Sequence, residues 1–75
     1  MLKKKSVMLA GHATSIALEP EFWAELEARA AASNISLAAL LKQIDATRGR
    51  RPLASACRVS ALEWAAAAAA RMRPE

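Results

Sequence analysis

Two short stretches near the N-terminus alternate between apolar and polar side chains, a pattern that is typical of half-buried β-strands. In residues 13–18, Ile16 and Leu18 share one face, and a slip of one residue would expose both to solvent. In residues 5–10 the alternation is shifted by one position, so that one straight strand would place Val7 on the opposite face. The pattern therefore predicts two β segments with a break between them.

The break falls at Gly11 and His12, and two arrangements account for it. In the first, a β-bulge at Gly11 adds one residue and bends a single long strand. In the second, Gly11 and His12 form a two-residue turn of type II′, in which glycine takes the first position. This turn folds residues 6–18 into a hairpin that pairs Leu9 with Thr14, and it returns both apolar faces to one side.

Apolar residues at helical spacing replace the alternation after the second β segment. Pro20 suits the first position of a helix, and Asn34 can adopt the left-handed conformation that ends one. Ser36 is a favourable N-cap for a second helix, so two helices are predicted within residues 20–48. A third helix is predicted over residues 54–72, a stretch rich in alanine.

The predicted fold is mostly α-helical with a short β element at the N-terminus, in the α+β class, as a single domain over residues 1–75. A domain of this size usually needs a disulfide, a metal or a partner subunit. One cysteine and one histidine exclude an internal disulfide and a zinc cluster, so no metal or cofactor is expected. A second copy that pairs strand to strand is therefore expected to complete the core. The expected dimer core comprises Ile16, Leu18, Phe22, Leu26, Leu37, Leu40, Leu41 and Ile44.

The chain carries 11 basic and 7 acidic residues, a net charge of +4, and the basic residues are concentrated towards its two ends. Residues 1–5 form an expected basic arm with three lysines, and residues 46–75 hold six arginines. This distribution favours a polyanionic partner. No stretch is long and apolar enough for a membrane span or a signal peptide, which favours a cytoplasmic location. Paired carboxylates and phosphate-binding glycine loops do not occur, so the sequence argues against an enzyme.

A series of motifs runs from the second β segment into the second predicted helix. It consists of Thr14-Ser15-Ile16-Ala17-Leu18, Glu19-Pro20, Phe22, Leu26, Asn34-Ile35-Ser36 and Leu37-Ala38-Ala39-Leu40-Leu41. In these motifs the chain resembles the ribbon-helix-helix family, which forms intertwined dimers. With Ser6-Val7, Gly11-His12 and Phe22-Trp23 added, it is similar to a group of short bacterial proteins of that family that carry an additional C-terminal helix.

The resemblance implies sequence-specific DNA binding and a role in transcription regulation. In the family, a two-stranded ribbon enters the major groove, and its outward side chains contact base edges. By position, Ala13, Ser15 and Ala17 would take this role, and Ser36 with the amides after it would hold a phosphate. Two of the three ribbon positions are alanine, which can at most touch a thymine methyl group, so the chain departs from the family's long polar readers.

Two functions from different classes stay open. In the first, a dimeric regulator binds DNA mainly through phosphate contacts of its basic side chains. These side chains are Lys3, Lys4, Lys5, Arg50 and Arg51. In the second, the hairpin widens the sheet to four strands per dimer, DNA binding is lost, and the oligomer binds a protein partner or a small ligand, with His12 as a ligand contact. The third helix is expected to cap the dimer or to join dimers into tetramers or larger assemblies.

Overall fold

The computed structural model describes residues 1–72, which form a two-stranded antiparallel sheet followed by three α-helices. The elements are β1 (Lys3–Leu9), β2 (His12–Leu18), α1 (Pro20–Ala32), α2 (Leu37–Thr47) and α3 (Leu53–Arg71). The predicted α+β class with a third, C-terminal helix is confirmed. None of the described helices has the length and apolar character needed to cross a lipid bilayer.

The two strands form a hairpin, and the turn between them consists of Ala10 and Gly11. Both residues have positive φ angles, 51° and 81°, as a type I′ turn requires. The predicted type II′ turn, which starts one residue later and pairs Leu9 with Thr14, is wrong, because Leu9 pairs with His12. Glycine takes the second turn position, where type I′ turns commonly carry it. The observed cross-strand partner of each residue lies two positions from the predicted one. Because side chains alternate with a period of two, each side chain keeps its predicted face.

The basic arm expected over residues 1–5 lies largely within the sheet, because β1 begins at Lys3. The alternation of the strand then separates its lysines between two faces. Lys4 lies on the face away from the helices, whereas Lys5 lies on the helix-facing side. There the Lys5 Nζ is 3.2 Å from the Oε1 atom of Glu27. A lysine that is paired within a strand does not act as part of a flexible arm.

The helix ends follow the predicted capping residues. At the start of α2, the Oγ atom of Ser36 accepts a hydrogen bond from the backbone N–H of Ala39 at 3.0 Å. Asn34 adopts a φ of 57° after α1, and Gly49 adopts a φ of 63° after α2. These left-handed residues end the first two helices. All three helices pack with the hairpin in one core.

The hydrophobic core lies between the hairpin and the helices, with α3 packed against α1, α2 and β2. Ile16 and Leu18 are 3% and 0% exposed within a single chain. The other residues that the sequence assigns to a dimer core are also buried or half-buried in this chain. Their burial does not depend on a second copy, contrary to expectation, because β1 pairs with β2 and residues of α3 join the same core.

Candidate nucleic-acid interface

The face of the hairpin that points away from the helices gathers the side chains predicted to contact DNA bases. Its six residues form three cross-strand pairs, which are Lys4 with Ala17, Ser6 with Ser15, and Met8 with Ala13. Ala17 is half-buried, and the other five residues are exposed. We call these six residues the outward sheet face.

The outward sheet face is composed of small side chains and carries little charge. Lys4 is its single charged residue, and its largest apolar residue, Met8, is 55% exposed. The other four residues are alanines and serines, which offer no bidentate contact to a base pair. The predicted readers therefore lie together on one face, but that face can contribute little to base discrimination.

The edge of β2 that faces away from β1 has no neighbouring strand in the described part of the chain. In a two-residue hairpin the residues that close the turn exchange hydrogen bonds, and bonded and non-bonded pairs then alternate. Because Leu9 and His12 close the turn, Ala13, Ser15 and Ala17 direct their backbone N–H and C=O groups away from β1. These three residues thus offer a row of backbone groups for pairing with another strand.

The N-terminus of α2 can receive an anion. The Oγ atom of Ser36 accepts from the N–H of Ala39, while the amides of Leu37 and Ala38 precede the helical hydrogen-bond pattern and stay available. The first turn of α2, all of it within the described residues, holds no acidic residue that would repel an anion. Free amides and the positive end of the helix dipole together favour a phosphate at this position.

The link between α2 and α3 carries a group of arginines. Arg48 is held in place, because its Nε donates to Asp45 Oδ1 at 2.8 Å and its Nη1 donates to the backbone oxygen of Arg51 at 2.8 Å. Arg50 and Arg51 are exposed, and their side chains form no ion pair with the residues that the structure describes. The two predicted phosphate contacts of this link are therefore accessible, and Arg48 holds the backbone carbonyl of Arg51.

The remaining predicted contacts lie elsewhere. Lys3 and Lys5 belong to the helix-facing side of β1, so only Lys4 joins the outward sheet face. His12 is exposed at the start of β2, but the alternation places it on the opposite side from Ser15. The structure thus separates the predicted ligand contact His12 from the predicted base contacts.

An ion pair between Arg58 and Glu19 joins α3 to the junction of β2 and α1. The Arg58 Nε lies 2.9 Å from the Glu19 Oε1, and the guanidinium carbon lies 5.8 Å from the centre of the Phe22 ring. A backbone hydrogen bond and then the hydrogen bond from Arg58 lower the pKa of the Glu19 carboxyl. Sequence spacing carries no signal for this pair, because its members are far apart in the chain and meet only through packing.

Cys57 is buried in the core, and its burial raises the pKa of the thiol to about 11. The thiol therefore stays protonated near neutral pH, where it is a poor nucleophile and a poor metal ligand. Among residues 1–72, no three histidine, cysteine or acidic side chains come together as a metal site.

One protein-family model matches most of the chain. A family model described as a ribbon-helix-helix domain matches residues 2–65, which include the hairpin, α1, α2 and the first two thirds of α3. No curated protein matches the chain. No solved structure matches it.

Proposed function

The chain belongs to the ribbon-helix-helix family, and from this premise we propose that it is a homodimeric DNA-binding protein of bacteria that regulates transcription in the cytoplasm. The family is typically dimeric and binds DNA, and it is not typically enzymatic. One observation carries the proposal: the family match over residues 2–65 coincides with exposed cations at Lys4, Arg50 and Arg51.

The edge of β2 is the proposed dimer contact. Ala13, Ser15 and Ala17 direct backbone groups outward there, and an antiparallel copy of β2 would satisfy them. Pairing of β2 with its copy would join two hairpins into one four-stranded sheet. Each chain already buries Ile16 and Leu18 without a partner. The dimer contact would therefore add backbone hydrogen bonds between the chains and would not be needed to bury these two residues.

A pair of proline substitutions tests the proposed dimer contact. Ser15→Pro removes an N–H at the outer edge of β2 without removing a hydrogen bond to β1. Ser6→Pro is the matched control, because Ser6 faces Ser15 across the hairpin and directs its N–H to the outer edge of β1. We expect sedimentation at micromolar concentration to show a folded monomer for Ser15→Pro and a dimer for Ser6→Pro. A dimer in both variants would contradict the assignment.

Phosphate contacts are proposed to supply most of the DNA affinity. Arg50 and Arg51 are exposed, Lys4 lies on the outward sheet face, and the first amides of α2 after Ser36 suit a phosphate oxygen. Base contacts from Ser15 and two alanines would add little selectivity. The expected binding is therefore strongly dependent on salt and weakly dependent on DNA sequence.

Titration of a random-sequence duplex at two salt concentrations tests DNA binding. We expect a Kd on the order of 10⁻⁵ M that weakens steeply as salt is added. The double variant Arg50→Ala, Arg51→Ala should lower the salt slope by about 0.9 for each phosphate contact that is lost. Arg71→Ala is the control, since it removes an arginine from the other end of α3, a helix about 27 Å long. A verified dimer that binds no DNA at low salt would contradict the proposal.

The breadth of the sheet favours a second candidate function, an oligomer that binds a protein or a small ligand in place of DNA. Four strands about 4.8 Å apart span about 14 Å between their outer backbones, and the major groove is about 12 Å wide. The small, nearly uncharged outward sheet face would suit packing against protein. A stable dimer without affinity for DNA would favour this candidate.

The outer side of α3 supports a proposal of assemblies larger than a dimer. Leu62 is 64% exposed and lies on the side of α3 opposite the buried Cys57 and Ser60. Ala66 and Ala69 continue this side, and their small side chains allow another helix to approach closely. We expect Leu62→Lys to remove tetramers or larger species from sedimentation profiles while the dimer persists. Unchanged large species would exclude this face.

A further inference from the structure

A pocket of about 350 Å³ opens between the C-terminal end of α1 and the second half of α3. Its lining residues are Arg29, Ser33, Glu63, Trp64 and Ala67. Small-molecule sites in proteins begin at about 300 Å³. The lining residues are exposed or half-buried, so the pocket is an open cleft that would hold a compact ligand at the surface. None of the lining residues belongs to the proposed DNA interface.

The pocket exists because α3 is longer than the core that it covers. The buried positions of α3 end at Ala61, whereas the helix continues to Arg71. Trp64 follows Ser60 by one helical turn on the same side, but it stays half-buried because α1 ends at Ala32. The half-buried ring thus forms one wall, and one of its faces already carries a cation–π contact, because the Arg71 guanidinium carbon lies 5.3 Å from the ring centre.

Two opposite charges line the same pocket without forming an ion pair with each other. Arg29 is oriented by a hydrogen bond from its Nη1 to the hydroxyl of Ser60, which leaves its other N–H groups for a ligand. Glu63 is exposed and takes part in no ion pair with the described residues. A molecule that carries a carboxylate and an ammonium group could pair with both side chains at once.

We propose that this pocket binds a free amino acid with an aromatic side chain. Arg29 would receive the carboxylate, Glu63 would receive the ammonium group, and the side chain would pack on Trp64 and Ala67. The site would give the protein a small-molecule effector. This inference goes beyond DNA binding and does not require it.

Three probes of similar shape and different charge test the inference by tryptophan fluorescence. L-phenylalanine carries both charges, phenethylamine carries only the cation, and 3-phenylpropanoate carries only the anion. We expect saturable binding of L-phenylalanine with a Kd on the order of 1 mM. Each single-charge probe should bind at least about tenfold more weakly. Equal affinity for 3-phenylpropanoate, or no saturation by L-phenylalanine, would overturn the inference.

Two variants and a matched control identify the ammonium partner and the fluorescence reporter. Glu63→Gln should weaken L-phenylalanine binding about tenfold and leave 3-phenylpropanoate binding unchanged. Glu21→Gln is the matched control, because it removes an exposed carboxylate at the other end of α1. It should bind L-phenylalanine like the original chain. Trp64→Phe should abolish the fluorescence response, because the remaining indole of Trp23 is buried elsewhere. Equal weakening by both glutamine variants would exclude Glu63. DNA titration of Glu63→Gln separates a failure of this site from a failure of the DNA-binding proposal.

Discussion

The indole Nε1 of Trp23 donates a hydrogen bond of 2.8 Å to the backbone oxygen of Lys3, and this bond ties the first turn of α1 to the start of β1. Trp23 is 2% exposed, and the Nζ atom of Lys5 lies 5.5 Å from the centre of its ring. One side chain therefore holds the N-terminal strand on the helices through a hydrogen bond and a cation–π contact.

Substitution of Trp23 by phenylalanine is expected to loosen β1. Trp23→Phe keeps an aromatic ring but removes the N–H donor and some buried volume, so we expect a loss of about 1–3 kcal/mol in the free energy of unfolding. Urea denaturation followed by circular dichroism measures this loss. Trp64→Phe changes a half-buried indole and should cost less than about 0.5 kcal/mol. Equal losses in the two variants would show that the bond to Lys3 contributes nothing.

The turn residue Ala10 is expected to accept a stabilising substitution. Its φ of 51° is unfavourable for alanine, and asparagine before glycine is the preferred sequence of a type I′ turn. Ala10→Asn should therefore raise the free energy of unfolding by about 0.5–1 kcal/mol. Ala24→Asn, at an exposed position of α1, should instead lower it by about 0.5 kcal/mol. Thermal denaturation distinguishes these opposite signs, and destabilisation by Ala10→Asn would argue against this turn.

Two substitutions of Ser36 separate helix capping from phosphate binding. Ser36→Ala removes the capping oxygen and should cost about 1 kcal/mol of stability. Ser36→Asp keeps a capping oxygen and should preserve stability, but its charge would repel a phosphate at the start of α2. We therefore expect normal denaturation and weakened DNA binding for Ser36→Asp. Undiminished DNA binding by this variant would remove α2 from the proposed interface.

Acid is expected to weaken the junction that Glu19 and Arg58 hold together. Because the folded state lowers the pKa of Glu19 below its ordinary value of 4.5, the carboxylate contributes stability above that value. This contribution is lost as the pH falls through the lower, folded pKa. Glu19→Gln should flatten the decrease of Tm in acid. Glu25→Gln serves as the control and should keep the slope of the original chain. Identical slopes for both variants would count against the ion pair.

The thiol of Cys57 is expected to be unreactive in the folded protein. Burial raises its pKa to about 11, so almost no thiolate forms near pH 8, and a reagent cannot reach it. Labelling of the thiol with an aromatic disulfide reagent, followed by the absorbance of the thiolate it releases, should be slow under native conditions and complete in denaturant. Rapid stoichiometric labelling of the folded protein would show that Cys57 is not enclosed in the core. Because the unfolded chain ionises at the ordinary thiol pKa of 9.0, the stability of the fold should decrease as the pH rises above that value, and the decrease should end near the raised pKa.

Local sequence patterns were sufficient to predict the elements. The alternation in residues 5–10 and 13–18 identified both strand faces, and Asn34 and Ser36 marked the turn between α1 and α2. These signals depend on residues that are neighbours in the chain, where spacing and backbone preference are set before any packing occurs. The predicted contacts Ala13, Ser15 and Ala17 share a face for the same reason, since their spacing of two places them on one side of a strand.

By itself, then, the sequence determined the strands, the helices and their faces, because neighbouring residues fix these through periodicity and capping. Tertiary structure alone decided the turn type, the enclosure of Ile16 and Leu18 within one chain, and the pairing of Arg58 with Glu19. It also decided that Lys5 pairs with Glu27. Apart from the turn, these features join residues that are distant in the chain, and their free energy depends on how all the elements pack at once.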